Sequence, residues 1–188
     1  MFGGIDRTGQ HNKHLYKFEI DNLFGQVKVQ KVGTSSLKIP GGRAESSLNI
    51  LNYKERTRIN LPNKELVIIF GGVNDIKILN ELWVYRAITH TWTSVENKAE
   101  PVLPRKGHSA ILFNNNTDGN MNSDIIRVYN LVVFGGKNDF GYLNDIIVID
   151  ITYMVLEDNF FFKFRAIDTE DIIEPEKREV IIYNLSGT

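Results

Sequence analysis

The sequence predicts an all-β protein assembled from a repeated unit of antiparallel sheet. Three observations carry this expectation. The tripeptide Phe-Gly-Gly occurs three times, as Phe2-Gly3-Gly4, Phe70-Gly71-Gly72 and Phe134-Gly135-Gly136. The second and third copies close near-identical apolar runs, Leu66 to Gly72 and Leu131 to Gly136. A second motif, L-N-[DE]-[LI]-x-V-[YI], begins seven residues past the last glycine of both copies, at Leu79 and Leu143. Recurrence of this kind marks a repeat architecture, in which each unit buries its apolar face only against a neighbour.

The elements follow in order. The first copy is succeeded, after a longer loop, by Leu15-Tyr16-Lys17-Phe18. β-Branched and aromatic residues bounded by turn residues read as strands there and in both Leu-Asn segments. A further short strand is expected around Trp92, seven residues past Tyr85. Paired glycines after a strand permit a positive φ and a tight exit. The runs Val67-Ile68-Ile69-Phe70 and Val132-Val133-Phe134 do not alternate, so both of their faces are expected to be buried. Upstream of the second and third Phe-Gly-Gly lie arginine segments, Pro40 to Ser47 and Pro104 to Leu112, and Pro175-Glu176-Lys177-Arg178 looks like the opening of another.

The order P-x-R-x-G-H-S-A, apolar-F-G-G, L-N-[DE]-L-W-V-Y and T-x-T-W resembles the kelch repeat. The middle copy, Phe70 to Trp92 with Pro104 to Leu112, carries the resemblance most closely. The third copy departs at Ile149 and Leu156, where Tyr and Trp are expected, and the first has Gly25 at the Trp position. The resemblance implies a kelch-type β-propeller, here about three blades of antiparallel four-stranded sheet, forming part of a longer ring. Residues 1–39 would form a partial blade, 40–100 and 101–165 two blades, and 166–188 the start of a further one. Trp83, Tyr85, Trp92 and the Phe-Gly-Gly phenylalanines would pack between blades, each burying roughly 150–250 Å².

Length sharpens the expectation. A kelch unit is about 50 residues, whereas the Phe-Gly-Gly copies are 68 and 64 residues apart. Two polar insertions account for the excess, Leu48 to Glu65 and Asn114 to Arg127, the second holding an asparagine-rich run. Propellers have about 4–8 blades, and three open sheets would leave apolar faces and strand edges uncovered. The remaining blades would come from a longer chain or from self-association. From Phe160 onward the expectation is a buried strand, an acidic surface loop from Asp168 to Glu179, and a new strand at Val180 to Tyr183.

Composition narrows the function. A formal net charge of −1 with scattered Lys and Arg gives no electrostatic footprint for nucleic acid. No run of about 18 apolar residues predicts a membrane span. Cysteine is absent, which removes disulfides and thiolate sites and favours an intracellular, cytoplasmic setting. Asn115-Asn116-Thr117 and Asn184-Leu185-Ser186 match the glycosylation acceptor, a pattern that acts only on a secretory route.

An enzyme is not expected, nor a cofactor or metal. The Tyr-Cys crosslink of galactose-oxidase-type relatives needs a cysteine. None of His11, His14, His90 and His108 has carboxylates at both the fourth and eighth preceding positions, the spacing of iron-binding relatives. His11 and His14 lie three apart, but a zinc site needs at least a third protein ligand. Ser109 adjoins His108, and neighbours on a strand point to opposite faces.

The expected function is a non-catalytic interaction module that binds a protein partner through inter-strand loops. The alternative is a recognition segment of a larger enzyme, such as a kelch-containing Ser/Thr phosphatase or a ubiquitin-ligase adaptor. Candidate partner-binding residues are Asn74 and Asp75 in one loop and Asn138, Asp139, Phe140 and Tyr142 in the next. Two roles are open to Phe140, a protein-docking contact at a loop tip or a ring folded back onto the sheet. Arg43 and Arg105 are the remaining candidates and also have two open roles. With Arg178 they would ring one end of a central channel, or they would build the repeat by pairing with Glu81 and Asp145.

Overall fold

A computed structural model describes residues 1–21, 25–53, 64–96, 102–115, 126–154 and 158–167. Every regular element among these is a β-strand. β1 (Leu15–Asp21) and β2 (Gln26–Val32) form a hairpin. β3 (Ser47–Tyr53), β4 (Lys64–Phe70), β5 (Leu82–Arg86) and β6 (Thr91–Val95) form a four-stranded antiparallel meander, sheet one. β7 (Ser109–Asn114), β8 (Ile126–Phe134), β11 (Ile146–Met154) and β12 (Asn159–Ile167) form a second meander, sheet two. A short hairpin of β9 (Lys137–Asn138) and β10 (Gly141–Tyr142) projects between β8 and β11.

This is an all-β arrangement of antiparallel four-stranded sheets, consistent with a propeller-like fold. The first strands of the two sheets, β3 and β7, run beside each other. Leu51, Tyr53, Leu66, Ile68, Phe70, Leu82 and Val84 of sheet one pack against Tyr129, Leu131, Val133, Ile147, Ile149, Ile151, Tyr153 and Phe164 of sheet two. The other face of sheet one holds Val67, Ile69, Trp83, Tyr85 and Trp92, which pack on Phe2 and Leu15. Trp92 lies 5.5 Å from Phe2 and 5.0 Å from Tyr85, the tilted contacts that aromatic rings prefer. The Tyr85 hydroxyl donates to the Gly33 carbonyl at 2.8 Å, so the ring also ties sheet one to the segment after β2.

Three expectations need correction. Leu48 to Glu65 is not a single polar insertion. Leu48 to Tyr53 belongs to β3, which pairs along β4 from Ser47↔Phe70 to Tyr53↔Lys64. The run SLNILNY is half polar because only part of it is covered, yet β4 needs a partner on that edge for its backbone groups. Likewise Asn114 closes β7, and Ile126 and Arg127 open β8. Second, the non-alternating runs differ. All of Leu66 to Phe70 is buried, whereas β8 buries one face only and Phe134 is 53% exposed. Sheet one is covered on both faces, but sheet two has a described neighbour on one. Third, Phe134 therefore does not join Phe2 and Phe70 between layers. Leu156, residues 54–63, the asparagine-rich 116–125 and everything from 168 onward, including Arg178 and Val180 to Tyr183, lie outside the described residues.

Candidate interaction surface

Arg43 and Arg105 occupy equivalent places. Each is buried, at 1% and 0% exposure. Arg105 donates through Nη1 to the Gly135 carbonyl (3.0 Å) and grips both carboxylate oxygens of Asp145 (2.8 and 2.7 Å). Arg43 donates to the Gly71 carbonyl (3.2 Å) and to Glu81 (2.8 Å), whose Oε2 also accepts from the Trp83 indole. The flat fork of guanidinium suits this task, since it meets a carboxylate and a carbonyl at once. The hydrogen bond from Arg105 holds the Asp145 carboxyl below its usual range, against the opposing effect of burial. Burial works to raise Glu81 as well, but the hydrogen bonds from Trp83 and Arg43 outweigh it.

The backbone of each arginine reaches the preceding repeat. The Arg43 carbonyl accepts from Gly4 N–H (2.9 Å) and its N–H donates to the Asn12 carbonyl (3.3 Å). The Arg105 carbonyl accepts from Gly72 N–H (2.9 Å) and its N–H donates to the Leu79 carbonyl (3.0 Å). One residue thus clamps two repeats, side chain to its own and main chain to the one before. The clamp explains the diglycine. A Cβ on Gly3 would stand 2.3 Å from the Arg43 carbonyl oxygen, and one on Gly71 would stand 2.7 Å from that of Arg105. Both guanidinium groups are turned inward and buried.

The loops after Phe-Gly-Gly are built differently. Asn74 Oδ1 accepts from Ile76 and Lys77 N–H (3.0 and 2.8 Å), and Asn138 Oδ1 accepts from Phe140 N–H (2.9 Å). Asp6 makes the same kind of turn toward Thr8 and Gln10. Side chains that fold the backbone this way fix a tight turn. Asn74 and Asn138 are therefore spent on shape, and what they hold up is the second residue after each. Ile76 and Phe140 occupy that position, at 89% and 97% exposure, with Tyr142 at 90% on the returning strand. The Phe140 ring is not folded back onto the sheet.

Adjacent loops touch. His11 Nδ1 lies 2.6 Å from Asp75, joining the first loop to the second. Asp139, the counterpart of Asp75, makes no ion pair among the described residues. Lys106 pairs with Glu45 at 3.1 Å, linking the two arginine segments beneath the loops. His14 is directed to Lys31, so the two close histidines have different partners. Among the described residues no group of three metal-ligating side chains assembles.

Sequence reasoning missed two contacts. His108 reaches Ser47 (3.0 Å), not Ser109, and stacks edge-on to Phe70 at 5.4 Å. Burial, then the nearby Arg105 charge, pulls its pKa down from 6.5 to about 4, so it is neutral at pH 7. Lys64 is buried where a solvated insertion was expected. It pairs with Asp158 (3.0 Å), which also accepts from the Tyr153 hydroxyl (2.9 Å), and so bolts sheet one to the β11–β12 turn. The alternation of SLNILNY was the available signal for Ser47, while nothing near Lys64 in the chain announces its partner 94 residues away.

No family model matches this chain. A comparison with curated proteins finds a stretch similar to Tip elongation aberrant protein 1 of Schizosaccharomyces pombe, a kelch-repeat protein, at 35% identity over 71 residues. That stretch is 37% of this chain and 6% of the relative, so the chain spans a small fraction of that protein's length. The similarity agrees with the kelch resemblance drawn from the motifs.

Proposed function

We propose that this chain is a non-catalytic protein-interaction module, and that its docking surface is the rim of loops after the Phe-Gly-Gly turns. The observation that carries this reading is the pair Phe140 and Tyr142, almost wholly exposed on a hairpin whose turn is pinned by Asn138. Large aromatic rings held out on a rigid turn lose little side-chain entropy on contact and supply much of the energy of protein interfaces. Ile76 repeats the arrangement one loop away. Asp75 and Asp139 flank the apolar tips and would set the orientation of a partner. Arg43 and Arg105 serve by holding the loops in place, not by contact.

The test is affinity capture from cell extract with quantification of the bound proteins. Phe140→Ala should lower recovery of specific partners about tenfold or more, as loss of an interface hot spot does, with an unchanged melting temperature. Undiminished capture by a Phe140→Ala, Tyr142→Ala double variant would reject the loop rim as the docking surface.

A further inference from the structure

Successive loops after Phe-Gly-Gly are joined by one repeated set of main-chain bonds. Gly4 N–H donates to the Arg43 carbonyl (2.9 Å) and Ala44 N–H to the Val73 carbonyl (2.9 Å), tying the first loop to the second. Gly72 N–H donates to the Arg105 carbonyl (2.9 Å) and Lys106 N–H to the Lys137 carbonyl (3.0 Å), tying the second to the third. Each loop also closes in the same way, with Asn12, Leu79 and Leu143 N–H donating to the Gly4, Gly72 and Gly136 carbonyls (2.8, 2.8 and 2.9 Å). The residue before each closing bond is therefore one equivalent position, held by His11, Ile78 and Tyr142. Asp75 and Asp139 are likewise equivalent, two residues past Val73 and Lys137.

The two seams between loops are filled differently. In the first seam the His11 side chain is 12% exposed and donates from Nδ1 to Asp75 (2.6 Å), since an ionised carboxylate only accepts. In the second seam half-buried Ile78 takes the place of the histidine and has no side-chain donor. Asp139 is exposed, and its carboxylate has no hydrogen bond or ion pair among the described residues. Lys77, beside Ile78, does not supply one, and its charge acts on Glu81. The backbone wall differs as well. A Cβ on Gly42 would stand 2.2 Å from the His11 carbonyl oxygen. Pro104 occupies the position of Gly42 and carries that Cβ, so the second seam cannot close as tightly.

We propose that the second seam takes an arginine side chain from a protein partner, its guanidinium standing against Asp139 as His11 stands against Asp75. This rests on the loop rim being a docking surface, and it names the chemistry of what docks there, a basic residue beside an apolar one. The guanidinium presents a planar fork to the free carboxylate. Its aliphatic stem lies along Ile78, and the apolar neighbour meets the exposed Phe140 tip. Asp75 is already engaged by His11, so the charge that selects the partner is that of Asp139.

Chemical-shift titration of the full chain with two tetrapeptides tests this. One is acetyl-Gly-Arg-Trp-Gly-amide, and the other carries citrulline, a neutral isostere, in place of arginine. The arginine peptide should shift the Ile78 and Asp139 amides and bind about threefold or more tighter than the citrulline peptide, the worth of an exposed ion pair. Asp139→Asn should erase that difference. Ile78→His should erase it too, because it gives Asp139 a partner from within the chain. Equal binding of the two peptides by the natural chain overturns the proposal, as does a difference that survives Asp139→Asn. The loop-rim reading has a separate readout. Partner capture that falls with Phe140→Ala but is unchanged by Asp139→Asn keeps the rim and overturns the seam.

Discussion

At the scale of single residues, stability and recognition fall on different side chains. Arg105 and Arg43 are charged, yet they are among the most buried side chains in the chain. A buried guanidinium is tolerable only with its donors satisfied, and here carbonyl and carboxylate acceptors do so. His108 is a half-buried titratable group. Its folded pKa, about 4, lies below the ordinary 6.5. The unfolded chain therefore binds the proton first as pH falls, and stability declines between pH 6.5 and pH 4. Partial exposure discounts the effect to about 1–2 kcal/mol, most of it gone by pH 5. The carboxyls of Asp145, Glu81 and Asp158 are held below the usual carboxylate range, so the stability they contribute is lost at lower pH still. Urea unfolding at pH 7 and pH 5 should show the loss, and His108→Gln should flatten it. A natural chain equally stable at both values would contradict the buried, neutral imidazole.

At the scale of elements, the sequence was most readable where residue chemistry is local. The strands ending in Phe-Gly-Gly and the Leu-Asn strands follow from β-branched runs and glycine pairs. Placing Arg105 against Asp145 was open in the sequence, because the motif gives both residues but not their distance. β3 was misread because SLNILNY runs straight into the polar stretch that follows it, which hid the alternation that pairs it with β4. Phe134 was misread because its motif matches that of Phe70, and burial depends on what lies across the sheet, which no local pattern encodes. In the β9–β10 hairpin, Asn138 and Phe140 were both singled out as contacts, and the geometry divides their roles. Asn138→Ala should speed exchange of the Phe140 amide about fivefold, the share of one hydrogen bond, and reduce partner capture. An Asn138→Ala variant with unaltered exchange would mean the turn does not depend on its side chain.

At the scale of the whole molecule, the repeat is a chain of clamps. Each arginine closes its own sheet and fastens the previous one, so order passes from repeat to repeat as in other arrays stabilised by nearest neighbours. The layers run N-terminal segment, sheet one, sheet two, and among the described residues the outer face of sheet two has no neighbour. The loops that emerge beside the clamps differ in sequence between the copies. Their tips, Ile76 and Phe140, are the parts of the repeat that are held rigid and left uncovered.

The division between clamp and tip is tested most directly by equilibrium urea unfolding of Arg105→Lys and Phe140→Ala beside the natural chain. Lysine cannot span the Gly135 carbonyl and both Asp145 oxygens, so the first variant should lose about 2–4 kcal/mol. The second should stay within about 0.5 kcal/mol. A stable Arg105→Lys variant, or a Phe140→Ala variant as weakened as the arginine one, would contradict the assignment of stability to the clamps and recognition to the loop tips.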